Sequence, residues 1–131
     1  MLLFKTILIL EDNLLVVAKI LDHLATLEQN QFYDFCTIQF STGDQVEDYI
    51  NSNPKAEFDI ILLDGDCKLN KSFHILDIER FGPEKVIAIS SVPRWNEEAK
   101  KRGVKRVVEK DLLHLDTFAK DVVKEVASLL G

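Results

Sequence analysis

Three short runs of apolar residues are typical of strands that are buried on both faces. They occupy residues 6–10, 58–63 and 86–89, and each stops at acidic, hydroxyl or loop residues. This pattern predicts central strands of a parallel sheet. Two further segments, residues 36–40 and 105–109, alternate apolar with polar positions or carry charges at their ends. They are predicted to be the two edge strands.

The segments between the strands have the spacing of amphipathic helices. Residues 13–29 and 115–130 place apolar side chains at intervals of three and four. Shorter helices are predicted for residues 43–52 and 95–102. The signal is poorest after the third strand, where only residues 73–81 have a helical pattern. Strand and helix alternate five times, which predicts an α/β fold: a doubly wound parallel sheet with helices on both faces.

Length and composition limit the class of protein. With 131 residues, the chain is expected to form one domain over residues 1–131. Its apolar N-terminal run lacks a basic segment and a small-residue cleavage site, so we interpret it as the first strand and not as a signal peptide. No apolar run approaches the roughly 18 residues that a bilayer span requires, and no membrane association is expected.

Charge and cysteine usage narrow the class further. Sixteen basic and 22 acidic residues give a net charge of −6, which predicts no nucleic-acid partner, because phosphate binding needs surplus cations. Two cysteines form no disulfide framework and no metal-ligand spacing, so a cytoplasmic location is expected.

One segment departs from the acidic average. Residues 94–110 carry seven basic and three acidic side chains, so they form either a solvated helix face or a docking surface for an acidic partner. The basic side chains in question are Arg94, Lys100, Lys101, Arg102 and Lys105. Trp95 lies in the same segment and is expected to be buried against the sheet, with exposure to a partner as the alternative.

Polar side chains follow four of the predicted strands, where the chemistry of an open α/β sheet is found. Taken singly, each has a structural explanation, such as a helix cap for Asp12 or Asn13 and a turn for Asp64. Together, the acids would repel one another unless they bound a hard divalent cation, for which Mg²⁺ is the natural candidate. The side chains are Glu11, Asp12, Asp64, Asp66, Ser90 and Lys110.

A carboxylate beside bound Mg²⁺ can attack a phosphoryl group and form an aspartyl phosphate. Asp64 is best placed to be that nucleophile. Lys110 would place a positive charge on the transferred group, and the hydroxyl of Ser90 would donate a hydrogen bond to it.

Four motifs at these strand ends resemble those of the response regulator receiver domain: ILILEDN, IILLDGD, VIAISS and VVEK. The resemblance extends over nearly the whole chain and implies a flavodoxin-like sheet of five strands in the order 2-1-3-4-5. It implies that Asp12 binds Mg²⁺ directly and Glu11 through water, and that Asp64 accepts the phosphoryl group. The main-chain carbonyl of Asp66 would be a third metal ligand.

The same resemblance implies roles for the remaining residues and for partners. Ser90 would be the switch hydroxyl and Lys110 the phosphate-binding lysine. The phosphoryl group would come from a histidine kinase or a histidine phosphotransfer protein, and a downstream protein would dock on the face of helix 4, strand 5 and helix 5. The chain would then be a signalling module of a two-component or phosphorelay system and not an enzyme.

Four positions differ from the family pattern. Asp111 follows Lys110 where the family usually has a proline in a cis peptide, and Val107 replaces a Tyr or Phe that reports activation. Cys67-Lys68 replaces Met-Pro after the acceptor. Cys67 is expected to be a small apolar plug, with a reactive thiol as the alternative.

These differences keep other functions open. A degenerate receiver would retain the fold as an interaction module without cycling phosphate. A metal-dependent phosphodiester enzyme resembling Toprim domains would use Glu11, Asp64 and Asp66 but would leave Ser90 and Lys110 without roles. A flavin or nucleotide carrier would need a Gly-rich phosphate loop, and none follows any predicted strand.

Overall fold

The computed structural model describes residues 3–69 and 71–131, so Met1 and Leu2 of the apolar N-terminal run lie outside it. Five parallel strands form one sheet in the order β2-β1-β3-β4-β5, which confirms the predicted fold class. The strands are β1 (Leu3–Leu10), β2 (Tyr33–Phe40), β3 (Ile60–Leu63), β4 (Val86–Ala88) and β5 (Arg106–Val107). The helices are α1 (Leu14–Asn30), α2 (Gly43–Ser52), α3 (Ile78–Phe81), α4 (Pro93–Lys101) and α5 (Leu115–Leu130).

The strand bounds differ from the sequence prediction most in β1, β2 and β5. β1 and β2 begin three residues earlier than expected, because they pair residue for residue from Leu3 opposite Tyr33. At the other edge only Arg106 and Val107 pair with β4, so β5 is shorter than predicted. The ends of these strands depend on which residues pair with the neighbouring strand, and the hydrophobic pattern of the sequence does not contain that information.

The helix predicted over residues 73–81 is wrong as a continuous element. A 3₁₀ turn at Phe73–Ile75 is followed by a break and then by the four-residue α3. The break occurs because Leu76 is buried in the core, while the side chain of Asp77 accepts the Arg80 N–H and starts a new helix. Gly82 ends α3 at a φ of +99°, a left-handed conformation that glycine adopts at little cost.

Successive β1 side chains point to opposite faces of the sheet, as strand geometry requires. Ile7 and Ile9 belong to a core packed under α1 and α5. Leu8 and Leu10 belong to a second core, packed under α2, α3 and α4. Within the described chain, no helix combines the length and hydropathy that a bilayer crossing requires.

Asn13 caps α1, as one of the two alternatives predicted. Its side-chain oxygen accepts the N–H groups of Leu15 and Val16 at 3.0 and 3.3 Å. Its own N–H donates to Oε2 of Glu11 at 3.1 Å. The cap therefore fixes the turn that carries Glu11 and Asp12 from the end of β1 into α1.

Candidate functional site

A buried cluster of charge lies where β1, β3 and β5 end. Glu11 and Asp64 are 0% and 2% exposed, and Lys110 is 8% exposed. The Lys110 ammonium donates to Oδ2 of Asp64 at 2.9 Å and forms an ion pair with Oε1 of Glu11. Burying three charged groups is unfavourable unless they are paired, so this lysine holds the two acids together.

The pKa values of Glu11 and Lys110 respond both to burial and to the neighbouring charges. Burial and the negative charge of Asp64 raise the pKa of Glu11 well above its usual range. Burial alone would lower the pKa of Lys110, but the carboxylates of Glu11 and Asp64 outweigh it and raise that pKa. Three carboxylates, those of Glu11, Asp12 and Asp64, thus face this one ammonium, and a bound cation would favour the ionised form of Glu11.

Three carboxylates are placed to share such a cation. Glu11, Asp12 and Asp64 each offer an oxygen within 4.8 Å of the others. Among the residues that the structure describes, Oε1 of Glu11 contacts the Lys110 ammonium but accepts no hydrogen bond of normal geometry. Oxygen ligands of this kind, one of them half-exposed to admit water, fit Mg²⁺ or a similar hard divalent cation.

Ser90 is fully buried beside the cluster, and its backbone is held from two sides. The Asn96 side chain accepts the Ser90 N–H at 3.1 Å and donates to its carbonyl oxygen at 3.0 Å. The Lys110 N–H donates to the same carbonyl oxygen at 3.2 Å, and the Ser90 hydroxyl accepts the Val92 N–H at 3.1 Å. The sequence analysis did not identify Asn96. Its position three residues before Ala99 places both residues on the buried side of α4, and this spacing is the signal that could have indicated it.

Asp66 and Trp95 have arrangements that the sequence did not indicate. The Asp66 carboxylate accepts a hydrogen bond from Nε1 of Trp95 at 2.9 Å, and it is not one of the three clustered carboxylates. Trp95 is half-buried over Gly65 and the ring of His74, so the expectation that it packs against the sheet was wrong.

The loop after Lys110 turns without a proline. The described residues contain no cis peptide bond, and Asp111 supplies the turn instead. Its Oδ1 accepts the Leu113 N–H at 3.0 Å, and its Oδ2 lies 2.9 Å from Nδ1 of His114. A side chain that mimics a turn thus replaces the bend that the family usually obtains from proline.

Val107 and Cys67 both contribute to the core under α2, α3 and α4. The thiol of Cys67 is half-buried, and burial raises its pKa. A raised pKa lowers the thiolate fraction, which favours the apolar plug over the reactive thiol.

The basic segment is not a uniform free surface. Arg102, expected within it, donates to the carbonyl oxygens of His74 and Leu76 at 2.8 and 2.6 Å and contacts Glu79. Lys100 pairs with Glu97 at 3.1 Å. The prediction that Arg102 faces a partner is therefore wrong, because its guanidinium satisfies backbone groups of the same chain.

No protein-family model matches the sequence, and no curated protein is significantly similar to it. Solved structures, in contrast, match over most of the chain. The phosphorylated cyanobacterial phytochrome response regulator RcpA has a TM-score of 0.71 at 19% identity, over 92% of this chain and 92% of its own. The Mn²⁺-bound response regulator Rcp1 has a TM-score of 0.67 at 16% identity, over 90% and 91%.

A response regulator receiver domain from Rhodospirillum rubrum has a TM-score of 0.70 at 15% identity and covers 94% of both chains. The strand order of this chain, 2-1-3-4-5, is the flavodoxin-like order that the sequence resemblance implied. The chain therefore has the fold of response regulator receiver domains.

Proposed function

We propose that this chain is a phospho-accepting receiver domain in which Asp64 takes a phosphoryl group from a phosphorylated histidine. The observation that carries the proposal is the placement of Lys110, whose ammonium lies 2.9 Å from Oδ2 of Asp64 and also pairs with Glu11. The ammonium of a buried lysine beside a carboxylate supplies positive charge that would stabilise a phosphoryl group transferred to that carboxylate.

In the transfer, an oxygen of Asp64 bonds to phosphorus as the bond from phosphorus to the donor imidazole nitrogen breaks. The electron pair of that bond stays with the imidazole. The Lys110 ammonium already lies beside the acceptor carboxylate, and it would pair with the phosphoryl oxygens once the group is transferred. The Ser90 hydroxyl, now an acceptor from Val92, would reorient to donate to one of those oxygens.

Mg²⁺ is the proposed cofactor, and the Mn²⁺-bound form of Rcp1 shares the fold. Glu11, Asp12 and Asp64 would hold it, with the main-chain carbonyl of Asp66 as a further ligand. When bound, the metal supplies positive charge for the equatorial oxygens of the transferred group. Asp12 is more exposed than Glu11, which suits a direct bond to a metal that keeps some of its waters.

A protein donor must reach this edge of the sheet, and exposed leucines flank it. Leu14 and Leu15 open α1 directly after the acidic pair and are 63% and 57% exposed. Leu112 and Leu113 follow Lys110 and are 58% and 89% exposed. We assign this apolar rim to the histidine kinase or phosphotransfer protein, because exposed apolar patches mark protein contacts.

The downstream partner is proposed to dock on α4, β5 and α5. Arg94, Lys101 and Lys105 are its exposed basic side chains, and Lys100 beside them is paired with Glu97, so the face favours an acidic partner. Cys36 and Cys67 are both free thiols, which supports the cytoplasm as the compartment.

The proposal is tested by intact-mass spectrometry after incubation with acetyl phosphate and Mg²⁺. Wild-type protein should gain the mass of one phosphoryl group, and the gain should disappear with chelator, in hydroxylamine and in Asp64→Asn. Asp121→Asn, which changes an exposed carboxylate of α5, is the matched control and should be phosphorylated like wild type. An unchanged wild-type mass, in protein that binds Mg²⁺, would favour the phosphorylation-independent interaction module.

A second test separates the two members of the acidic pair. Asp12→Ala should weaken Mg²⁺ binding more than Glu11→Ala, because a direct ligand contributes more than one that acts through water. Calorimetric titration of both variants measures the order, and the reverse order would refute the assignment.

A further inference from the structure

Trp95, in the first turn of α4, lies across the residues that follow the acceptor Asp64. Its indole N–H donates to Oδ1 of Asp66 at 2.9 Å, and its ring centroid is 4.9 Å from that of His74. Nδ1 of His74 is buried and has no hydrogen-bond partner among the described residues. The His74 ring thus packs against the indole at an interplanar angle of 36°, while the indole N–H donates to Asp66.

Gly65 makes this approach possible. A Cβ built on Gly65 would lie 2.1 Å from Cγ of Trp95, so the indole occupies the space of a side chain at position 65. The Gly65 carbonyl oxygen is itself fixed by the Ser72 hydroxyl at 2.6 Å and the Phe73 N–H at 3.3 Å. The peptide group between Gly65 and Asp66 is thus held from outside the loop, and the Asp66 carboxylate is held by Trp95.

A second set of hydrogen bonds connects the same segment to the C-terminal end of α4. The Arg102 guanidinium donates to the carbonyl oxygens of His74 and Leu76. The chain that leaves the acceptor is therefore bound to α4 near its first turn and just past its last residue.

We propose that Trp95 is a positioning residue for the acceptor site. By holding the Asp66 carboxylate, it fixes the backbone that must present the Asp66 carbonyl to the metal, and it joins the acceptor loop directly to α4. A ligand that is held in place before binding loses less conformational freedom when the metal arrives, so the affinity rises. This inference rests on the proposed function, because it assumes that the site takes a divalent cation.

The test is a set of mutant cycles read by calorimetric Mg²⁺ titration. Trp95→Phe keeps a ring against Gly65 and His74 but deletes the N–H donor. It is measured in the wild-type, Asp66→Asn and Asp66→Ala backgrounds. Asparagine keeps an oxygen that can accept the indole bond but removes the charge, whereas alanine removes the acceptor.

The loss of one hydrogen bond predicts about three- to tenfold weaker Mg²⁺ binding for Trp95→Phe in the first two backgrounds. In the Asp66→Ala background it should have no effect. Melting temperatures in chelator should be similar for each pair, which separates positioning from general stability. Equal losses in all three backgrounds, or none in any, would overturn the inference while leaving the proposed function intact.

Wild-type protein supplies an independent measurement. Trp95 is the only tryptophan, so its emission reports on this loop without a label. Mg²⁺ and a phosphoryl analogue such as beryllofluoride should each change the emission, since both act on the backbone to which the indole is bonded. Mg²⁺ binding without any change in emission would overturn the role of Trp95, and wild-type protein that binds no Mg²⁺ would overturn both proposals.

Discussion

The face of the sheet under α1 and α5 is covered by helices of 17 and 16 residues, whereas α2, α3 and α4 on the other face have 10, 4 and 9 residues. The long helices bury continuous apolar stripes against the strands. The short helices leave more of the covering layer to turns and loops. Packing on the first face therefore comes mainly from apolar contact along whole helices.

Hydrogen bonds and ion pairs supplement the apolar packing on the face covered by α2, α3 and α4. Arg102 binds two backbone carbonyl oxygens, Trp95 binds Asp66, and Lys71 pairs with Asp44 and Glu47 at 2.7 Å each. Such contacts can be broken and remade one at a time, so local rearrangement costs less here than in a close-packed helical layer.

The candidate site draws on both faces. Glu11 and Lys110 lead into α1 and α5, while Asp64 and Ser90 lead into α3 and α4. We expect one face to hold the charged groups in place and the other to respond to changes at the acceptor.

The largest effect is expected in the core beneath the long helices. Ile20 of α1 and Ile78 of α3 are both 0% exposed. Ile20→Ala should lower the free energy of unfolding by about 4 kcal/mol, and Ile78→Ala by about 2 kcal/mol, because the short helix can relax into the space. Urea unfolding measures both. Equal losses would mean that the two faces are equally rigid.

Removal of Arg102 should have the next largest effect. Arg102→Met leaves two carbonyl oxygens without their donors and should cost about 2 kcal/mol of stability. Lys101→Met, an exposed neighbour, is the control and should cost little. If Arg102→Met loses no more stability than Lys101→Met, the hydrogen bonds of Arg102 contribute nothing to the free energy of unfolding.

Gly65→Ala tests how closely the indole packs. The added methyl group would displace Trp95 and should cost about 2 kcal/mol in the wild-type background. In the Trp95→Ala background the space is open, so the same change should cost much less. If Gly65→Ala lowers stability equally in both backgrounds, the added methyl group strains a contact other than the one with Trp95.

A smaller effect on stability should come from the protonation of His74. Burial, and secondarily the charge of Arg102, lowers the pKa of His74 from 6.5 to about 4. The unfolded chain therefore takes up this proton first, and stability should fall as pH drops from about 6.5 towards 4. After allowance for solvent screening the loss is about 1 kcal/mol. His74→Gln should remove it, and parallel pH curves for variant and wild type would contradict the assignment.

The sequence predicted the parts of this molecule that depend on local pattern. Buried strands, long amphipathic helices and the polar residues at strand ends all have short-range signatures, which is why the fold class and the cluster of Glu11, Asp64 and Lys110 were predictable. The contacts of Asn96, Trp95 and Arg102 were not, because they join each side chain to a group that lies 6 to 29 positions away in the sequence.

The third helix failed for a related reason. Its residues have helical spacing, but Leu76 is drawn into the core and Asp77 starts a new turn, so tertiary packing overrides the local preference. The turn at Asp111 was also missed, since aspartate at that position has no proline-like signature in the pattern.

Amide hydrogen exchange with and without beryllofluoride and Mg²⁺ tests the division of roles most directly. If the face of α2, α3 and α4 responds to the acceptor, protection should change in residues 64–69, 71–81 and 92–108. Protection in α1 and α5 should stay as it is in the free protein. Changes of equal size in α1 and α5, or changes that stop at the site and never reach α4, would contradict the account.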